Sequence, residues 1–433
     1  MMMDNKELYD IADYAHKRLK EKGADGADVS ISRGALEELN FDAGKFSLMR
    51  TTFSSSISIR ALSGSKKGSY GTNKIDRETV DKAVEAAIEA AKSSEPDSAE
   101  VISEGIGEHI FDLGKTESNP DLMYDRMAEC MEQIKQEYPK TDVMQFITSH
   151  NSWDSLYSNS NGTRVLNTAS QYGTSVSFSA REGDKTTSFN GSGYAAKDLD
   201  EPILDHSSDL RRLIAGSTME LDAKPVEGKF TGTLLCPPGS VGHFVGSALG
   251  NCVSGGAIIA GTSPWREKIG EAVSDGRISV WYDPLDERMI NAWRLQDGYL
   301  AKKQDIIKEG KLVAFSLGEY AALKTGLPRA SATGYTVIAP GELSVDELTK
   351  NIGRGILINR FSGGAMAPNG DFSGVAKNSF LIEDGKIAGA ISETMVSGNM
   401  LEMLFRVSGM SAYEDSEDVI PWAAFEGVVI SGK

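Results

Sequence analysis

Cysteine is scarce in this 433-residue chain, which has only Cys130, Cys236 and Cys252. Three widely spaced thiols cannot build a disulfide framework, and an odd count suits a reducing compartment, so buried free thiols are expected. Long apolar runs are also absent. No stretch approaches the roughly 18 uninterrupted apolar residues of a membrane span. The opening MMMDNKELYD has no basic region followed by an apolar run, so a cytoplasmic protein that does not enter the membrane is expected. Clustered positive charge is the third absence. Lys and Arg number 45 against 62 Asp and Glu, a net charge of -17, and the densest basic groups are only the pairs Lys66-Lys67, Arg211-Arg212 and Lys302-Lys303. Such a chain repels a phosphate backbone, which argues against direct nucleic-acid binding.

What is present is an ordinary globular composition, 40% hydrophobic and 25% charged. The length exceeds one core at roughly 150 residues per domain. The elements read as α+β, with helices packed on antiparallel strands and then a mostly β C-terminal part. The expected divisions are a first α/β unit over 1–98, a second over 110–222 and a C-terminal domain over 226–433. Leu8, Ile11, Ala12, Ala15 and Leu19 recur at helical spacing, residues 56–61 alternate as a strand does, and Asp76 can cap a helix carrying Val80, Val84, Ala87, Ile88 and Ala91. Asn119-Pro120 opens a helix with a Met123, Met127, Cys130, Ile134 stripe suited to core packing. Asn161-Gly162 is a hairpin turn, followed by a strand with Val176, Phe178 and Ala180 on one side. Asn161-Gly162-Thr163 and Asn190-Gly191-Ser192 match a glycosylation acceptor but are read as turn chemistry.

From about residue 228, short strands alternate with glycine, with hairpin signals at Glu309-Gly310 and Asp384-Gly385. Residues 233–236 read as a strand, Pro237-Pro238 as a break and 239–249 as a helix. The segment GRGILINRFSGGAMAPNGDFSG, 353–374, has neither a phosphate loop nor a dinucleotide fingerprint, and is read as a loop needing tight turns or close backbone approach. Two catalytic patterns are set aside. Ser63-Gly64-Ser65-Lys66 matches S-x-x-K but falls in a turn between strands, where that nucleophile should open a helix. Asp283 and Asp286-Glu287 read as solvated loop charge in an acidic protein.

ADVSISRGALEELNFDAG, SNSNGTRV, INRFSGGAMAPNGDFSGVAKNSFLIEDGKIAGAI and VSGNMLEML, in that order, resemble the TldD/PmbA family, also called modulators of DNA gyrase. The resemblance implies relatives of the TldD type that are zinc peptidases, in which two histidines of HExxxH and a distant C-terminal cysteine hold the metal and the glutamate activates water. Such a site needs three protein ligands, an open position and a carboxylate in reach. Within PPGSVGHFVGSAL, counting back from His243 puts Pro238 and Gly239 where the first histidine and the glutamate belong; a two-residue gap puts Cys236 and Pro237 there. No Asp or Glu occurs between Glu227 and Glu267, His243 is the only histidine after His206, and no cysteine follows Cys252.

The resemblance is therefore to the PmbA (TldE) branch. It implies a noncatalytic subunit with no cofactor of its own, in a heterodimer with an HExxxH paralogue that holds zinc, the complex cleaving unfolded peptides and small labile proteins. A homodimer in isolation is compatible with it. His243 reads as a packed or hydrogen-bonded helix residue, and Tyr335, Phe361, Gly363 and Gly364 are candidates for a peptide groove by their place in the resembling region. Two rivals stand: a lone metallopeptidase whose atypical site joins His243 to His150, His206, Cys236 or Cys252, and a homodimeric scaffold linked to DNA gyrase.

Overall fold

Two β assemblies, one open and one closed, organise the computed structural model, which describes residues 5–114, 116–206, 208–288, 294–330, 334–392, 394–415 and 418–432. The first begins with α1 (Lys6–Glu21), β1 (Gly26–Asp42), β2 (Lys45–Ser63), β3 (Lys66–Thr72) and α2 (Arg77–Ser93). Asp76 caps α2 by accepting from the Thr79 N–H. It continues with β4 (Glu108–Asp112), α3 (Pro120–Glu137), β5 (Thr141–Asn159), β6 (Arg164–Glu182), β7 (Asn190–Ala196) and α4 (Ser208–Glu220). The strand order is β3-β2-β1-β5-β6-β4, with β7 also on β6. Because β1 pairs antiparallel with β5 from Asp28 opposite Asn159 to Asp42 opposite Gln145, both N-terminal segments share one sheet.

Alternation along β1 puts Val29, Ile31, Leu39 and Phe41 on one face. At one end of it α1 and α2 cover Val29, Ile31, Ile57 and Ile59. At the other, α3 and α4 cover Leu39, Phe41, Phe146 and Phe178. Asn190-Gly191-Ser192 departs from the expected turn, since it begins β7. Asn190 is buried and donates to Ser217 Oγ at 2.6 Å, and a side chain at Gly193 would meet the Thr174 carbonyl at 2.5 Å, so this small, polar segment is what close packing on β6 requires.

The second assembly contains β8 (Lys229–Cys236), α5 (Pro238–Val253), β9 (Val280–Asp283), β10 (Gln304–Lys308), β11 (Lys311–Leu312), β12 (Tyr335–Ile338), β13 (Arg354–Gly363), β14 (Asp371–Glu383), β15 (Lys386–Ser392), β16 (Met395–Asn399), β17 (Val407–Met410) and β18 (Ala423–Ser431). Pairings β13-β8-β18-β16-β14 return to β13, so the sheet closes on itself and these strands keep no free edge. A smaller sheet has the order β11-β10-β9-β12. The turns at Glu309-Gly310 and Asp384-Gly385 have positive φ at both residues, the geometry that tight hairpins need.

The segment 353–374 is mostly paired strand, β13 and the start of β14, joined by a turn, so reading it as a loop fails; the expected tight turn and close backbone approach are present at Gly370, with positive φ, and at Gly355, against the Thr233 carbonyl, while Gly363 and Gly374 yield space to a ring described below. Helix α5 lies between the closed sheet and the small one. Its Val241, Phe244, Val245, Ala248, Leu249 and Cys252 share a core with Ile356, Ile358, Phe372 and Phe425 of the barrel and Val280, Ile306 and Ile338 of the small sheet. That i, i+3, i+4 stripe holds the helix despite glycines at 239, 242, 246 and 250, each about 1 kcal/mol poorer than alanine in a helix interior. No helix among the described residues is long and apolar enough to cross a membrane.

Candidate functional site

His243 stands exposed on α5, on the side turned away from the core stripe. Its ring meets Phe244 edge-on at 5.2 Å and Phe361 at 5.7 Å. The expectation of a packed residue is thus met only at the ring's edge. Phe361 in turn lies 5.2 Å from Phe244 and 5.8 Å from Phe372. It can fold back over its own strand pair because Gly363 and Gly374 have no side chains: a Cβ at either would sit 2.5 Å from the Phe361 ring.

Of the four groove candidates, Phe361 and Gly363 belong to this cluster beside His243. Gly364 follows directly at the end of β13, exposed, with nothing within 4 Å of a built Cβ. Tyr335 is 42% exposed but starts β12 in the small sheet, opposite Asp283, so the groove as expected from sequence divides between two sheets.

Beyond His243 the outer side of α5 is bare. Gly239, Gly246 and Gly250 each have nothing within 4 Å of a Cβ position. Both β13 and the turn after it are fastened along this helix: Ser240 Oγ donates to the Ile358 carbonyl of β13 at 2.8 Å, and Asn251 Nδ2 donates to the Met366 and Ala367 carbonyls of the turn at 3.2 and 3.1 Å. Asn399 ties the other end of that turn, donating to the Asn369 carbonyl at 2.9 Å and to Asp371 at 2.8 Å.

A zinc ion does not fit the residues at this place. Cys236 and Cys252 are buried, and burial pushes both thiols up, Cys252 to about 12, so neither offers a thiolate. His150 is buried on β5 in the first assembly beside Tyr172, 4.7 Å between rings, and burial pulls its pKa down. His206 ends a short helix, 3.4 Å from Glu201 and 4.5 Å from the Tyr194 ring. Among the described residues no three His, Cys, Asp or Glu side chains gather to hold an ion. The carboxylates near β9 have cations of their own, Asp286 with Arg288 at 2.5 Å and Asp283 with Lys303 at 4.0 Å. Ser63 to Lys66 forms the β2–β3 turn.

Sequence reading missed a polar joint between the assemblies. Asn378 N–H donates to Glu220 at 2.6 Å, Asn378 Nδ2 to the Leu213 carbonyl at 2.9 Å, and Asn359 Nδ2 to Asn378 Oδ1 at 3.2 Å. Arg212 bonds Asn359 and Asp209 and lies 5.3 Å over the Trp422 ring. The signal available was polar residues inside otherwise apolar strands, Asn359 and Asn378, which buried sheets rarely carry without a partner.

Two family models match: the one described as PmbA/TldA metallopeptidase C-terminal domain over residues 227–432 and the one described as PmbA/TldA metallopeptidase domain 1 over 27–91. A metalloprotease of Methanocaldococcus jannaschii is 24% identical over 424 residues, 91% of each chain. Metalloprotease PmbA of Escherichia coli O157:H7 is 23% identical over 400 residues, 88% of this chain and 86% of that protein. A metalloprotease of Methanothermobacter thermautotrophicus is 29% identical, but over only 43% of this chain and 44% of its own length. Among solved structures, TldE from Thermococcus kodakarensis superposes with a TM-score of 0.79 at 20% identity, over 98% of this chain and 100% of that one. A protein described as a modulator of DNA gyrase from Bacteroides thetaiotaomicron gives 0.84 at 19% identity over 100% of both. At these identities the structural likeness is one of fold.

Proposed function

The chain belongs to the TldD/PmbA family, and from that premise we propose that it is the noncatalytic, PmbA/TldE-like subunit of a cytoplasmic zinc peptidase complex. One observation carries the reading. On α5, where the resemblance puts HExxxH, the outward side has a single imidazole, His243, among glycines, and no carboxylate occurs from 228 to 266 to activate water. The catalytic partner is an HExxxH paralogue that holds the zinc. The bare glycine side suits close approach by a partner's chain or an extended peptide, since backbone contacts accept many sequences.

Coexpression with an HExxxH paralogue from the same genome tests this. A copurifying heterodimer is expected, with peptide cleavage that needs the paralogue's glutamate and is indifferent to His243→Ala here. The isolated chain is expected to carry no stoichiometric zinc. One zinc per chain, lost on His243→Ala, would establish the lone-enzyme reading instead.

A further inference from the structure

The outer face of the small sheet brings together an aromatic ring, a carboxylate and a loosely seated lysine. Val280 of β9 and Ile338 of β12 face each other in the core shared with α5. Side chains alternate along a strand, so Trp281 and Asp283 bracket the opposite, outer face, and Tyr335 joins them there as the register partner of Asp283. The Leu285 N–H donates to Asp283 Oδ1 at 2.9 Å, which fixes the carboxylate.

Lys303, just before β10, holds its Nζ 4.4 Å from the centre of the Trp281 ring and 4.0 Å from Asp283 Oδ2. The first distance is a cation–π contact, and the second is too long for a hydrogen bond. The Asp283 side chain is 13% exposed and that of Lys303 53%, so the lysine rests on the carboxylate and the ring from the solvent side. It is outnumbered as well. Asp305 stands opposite Trp281 on the β10 side, and Arg288 is already engaged by Asp286, through Nε at 2.8 Å and Nη2 at 2.5 Å. The indole N–H of Trp281 is buried and finds no acceptor in the chain, whereas buried donors are nearly always paired.

We propose that Trp281, Asp283 and Tyr335 form a subsite for a basic side chain, Lys or Arg, of an extended peptide, and that Lys303 fills it until such a side chain displaces it. The proposal deepens the peptide-handling role put forward above and rests on it. An incoming lysine or arginine lays its stem over Trp281 and brings its charge to Asp283, and a guanidinium also stacks on the ring. Lys303 gives way readily, because an exposed cation on an aromatic ring is held by only about twofold to fivefold.

Fluorescence anisotropy on the isolated full-length chain tests this, using an unstructured labelled decapeptide with one central lysine and the same peptide with norleucine there, at physiological ionic strength. The wild type is expected to prefer the lysine peptide. Asp283→Asn keeps an acceptor for the Leu285 N–H but loses the charge, and should weaken lysine-peptide binding about tenfold while leaving the norleucine peptide unchanged. Trp281→Leu should cost the lysine peptide about twofold to fivefold. Lys303→Ala removes the internal occupant and should tighten lysine-peptide binding at least about twofold. Glu89→Gln on α2, an exposed carboxylate of the first assembly, should change nothing. Equal binding of the two peptides, no binding of either by Lys303→Ala, or weaker lysine-peptide binding by Lys303→Ala overturns the proposal. So does a loss at Glu89→Gln equal to that at Asp283→Asn, which would make the preference a response to overall charge. Melting temperatures check folding, and if Asp283→Asn does not fold, the exposed Lys303→Ala decides alone. Failure to copurify with an HExxxH paralogue bears on the subunit reading only, since the lysine preference is read without a partner.

Discussion

The two β assemblies solve the same problem in opposite ways. The C-terminal sheet closes β13 onto β14 and leaves no edge in its ring, and its Phe372 and Phe425 pack in one core with Phe244 of α5. The N-terminal sheet stays open and leaves apolar side chains of β2 in solvent. Closure makes a rigid support for α5 and the turn over it, whereas openness leaves a surface that another chain can complete. On the proposed reading, of a subunit that leaves catalysis to its partner, support and docking are the two tasks that remain.

The sharpest way to break the comparison is to make one substitution in both places. Phe372→Ala removes a ring from the barrel core and is expected to cost about 3–5 kcal/mol, while Phe53→Ala on the open edge should change the stability of the monomer by no more than about 0.5 kcal/mol. Urea unfolding of both variants, at a concentration that keeps the chain monomeric, checks this. Equal losses would mean that the β2 edge is packed in solution.

Two glycines give the next contrast. A methyl at Gly374 would lie 2.5 Å from the Phe361 ring and 2.7 Å from the Ser362 carbonyl, so Gly374→Ala should cost about 1–3 kcal/mol as Phe361 is forced aside. Gly246, in the interior of α5, has nothing within 4 Å, and Gly246→Ala should raise stability by about 1 kcal/mol. Thermal unfolding reads both signs. If the bare side of α5 serves a partner or peptide, the more stable Gly246→Ala chain should support slower peptide cleavage in the coexpressed complex; unchanged cleavage would remove that use of the glycines.

These contrasts also mark what could be read from residue order. The buried stripe of α1, the Asp76 and Asn119 caps and the Asn161-Gly162 turn are local: each follows from spacing or turn chemistry within a few residues, and each is where the sequence puts it. Segment 353–374 and Asn190-Gly191 were misread as loop and turn because several of their glycines are required by a partner across the sheet, the folded-back Phe361 ring at Gly374, the Thr233 carbonyl at Gly355 and the backbone of β6 at Gly191. Composition cannot separate a glycine that bends its own chain from one that yields space to a neighbour. Likewise Tyr335 and Phe361 were grouped in one groove by their place in the resembling region, yet they pair into different sheets. That no Asp or Glu lies between Glu227 and Glu267 and that no histidine follows His243 needs no fold to be read.

The smallest expected effect lies at the joint between the assemblies, where α4 meets β14. Glu220 accepts from the Asn378 N–H through one oxygen, while its other oxygen is buried without a hydrogen bond. Burial raises its pKa above the ordinary carboxylate value, and the Asn378 N–H, the nearby Asn190 amide and the charges of Arg360 and Lys377 only partly offset this. A folded-state pKa above the unfolded one means that folding favours the neutral acid. The joint therefore contributes fully below the ordinary carboxylate range and loses part of its contribution as pH rises through the raised value. A glutamine in place of Glu220 would not titrate and could still accept the Asn378 bond. The stability of Glu220→Gln relative to wild type should accordingly climb as pH rises from the ordinary carboxylate range through the raised value and then level off. A pH series of denaturant midpoints for the two proteins decides it: a difference that stays flat, or that runs in favour of wild type as pH rises, would show that the carboxylate is well solvated and that the joint between the closed and open assemblies is looser than its burial indicates.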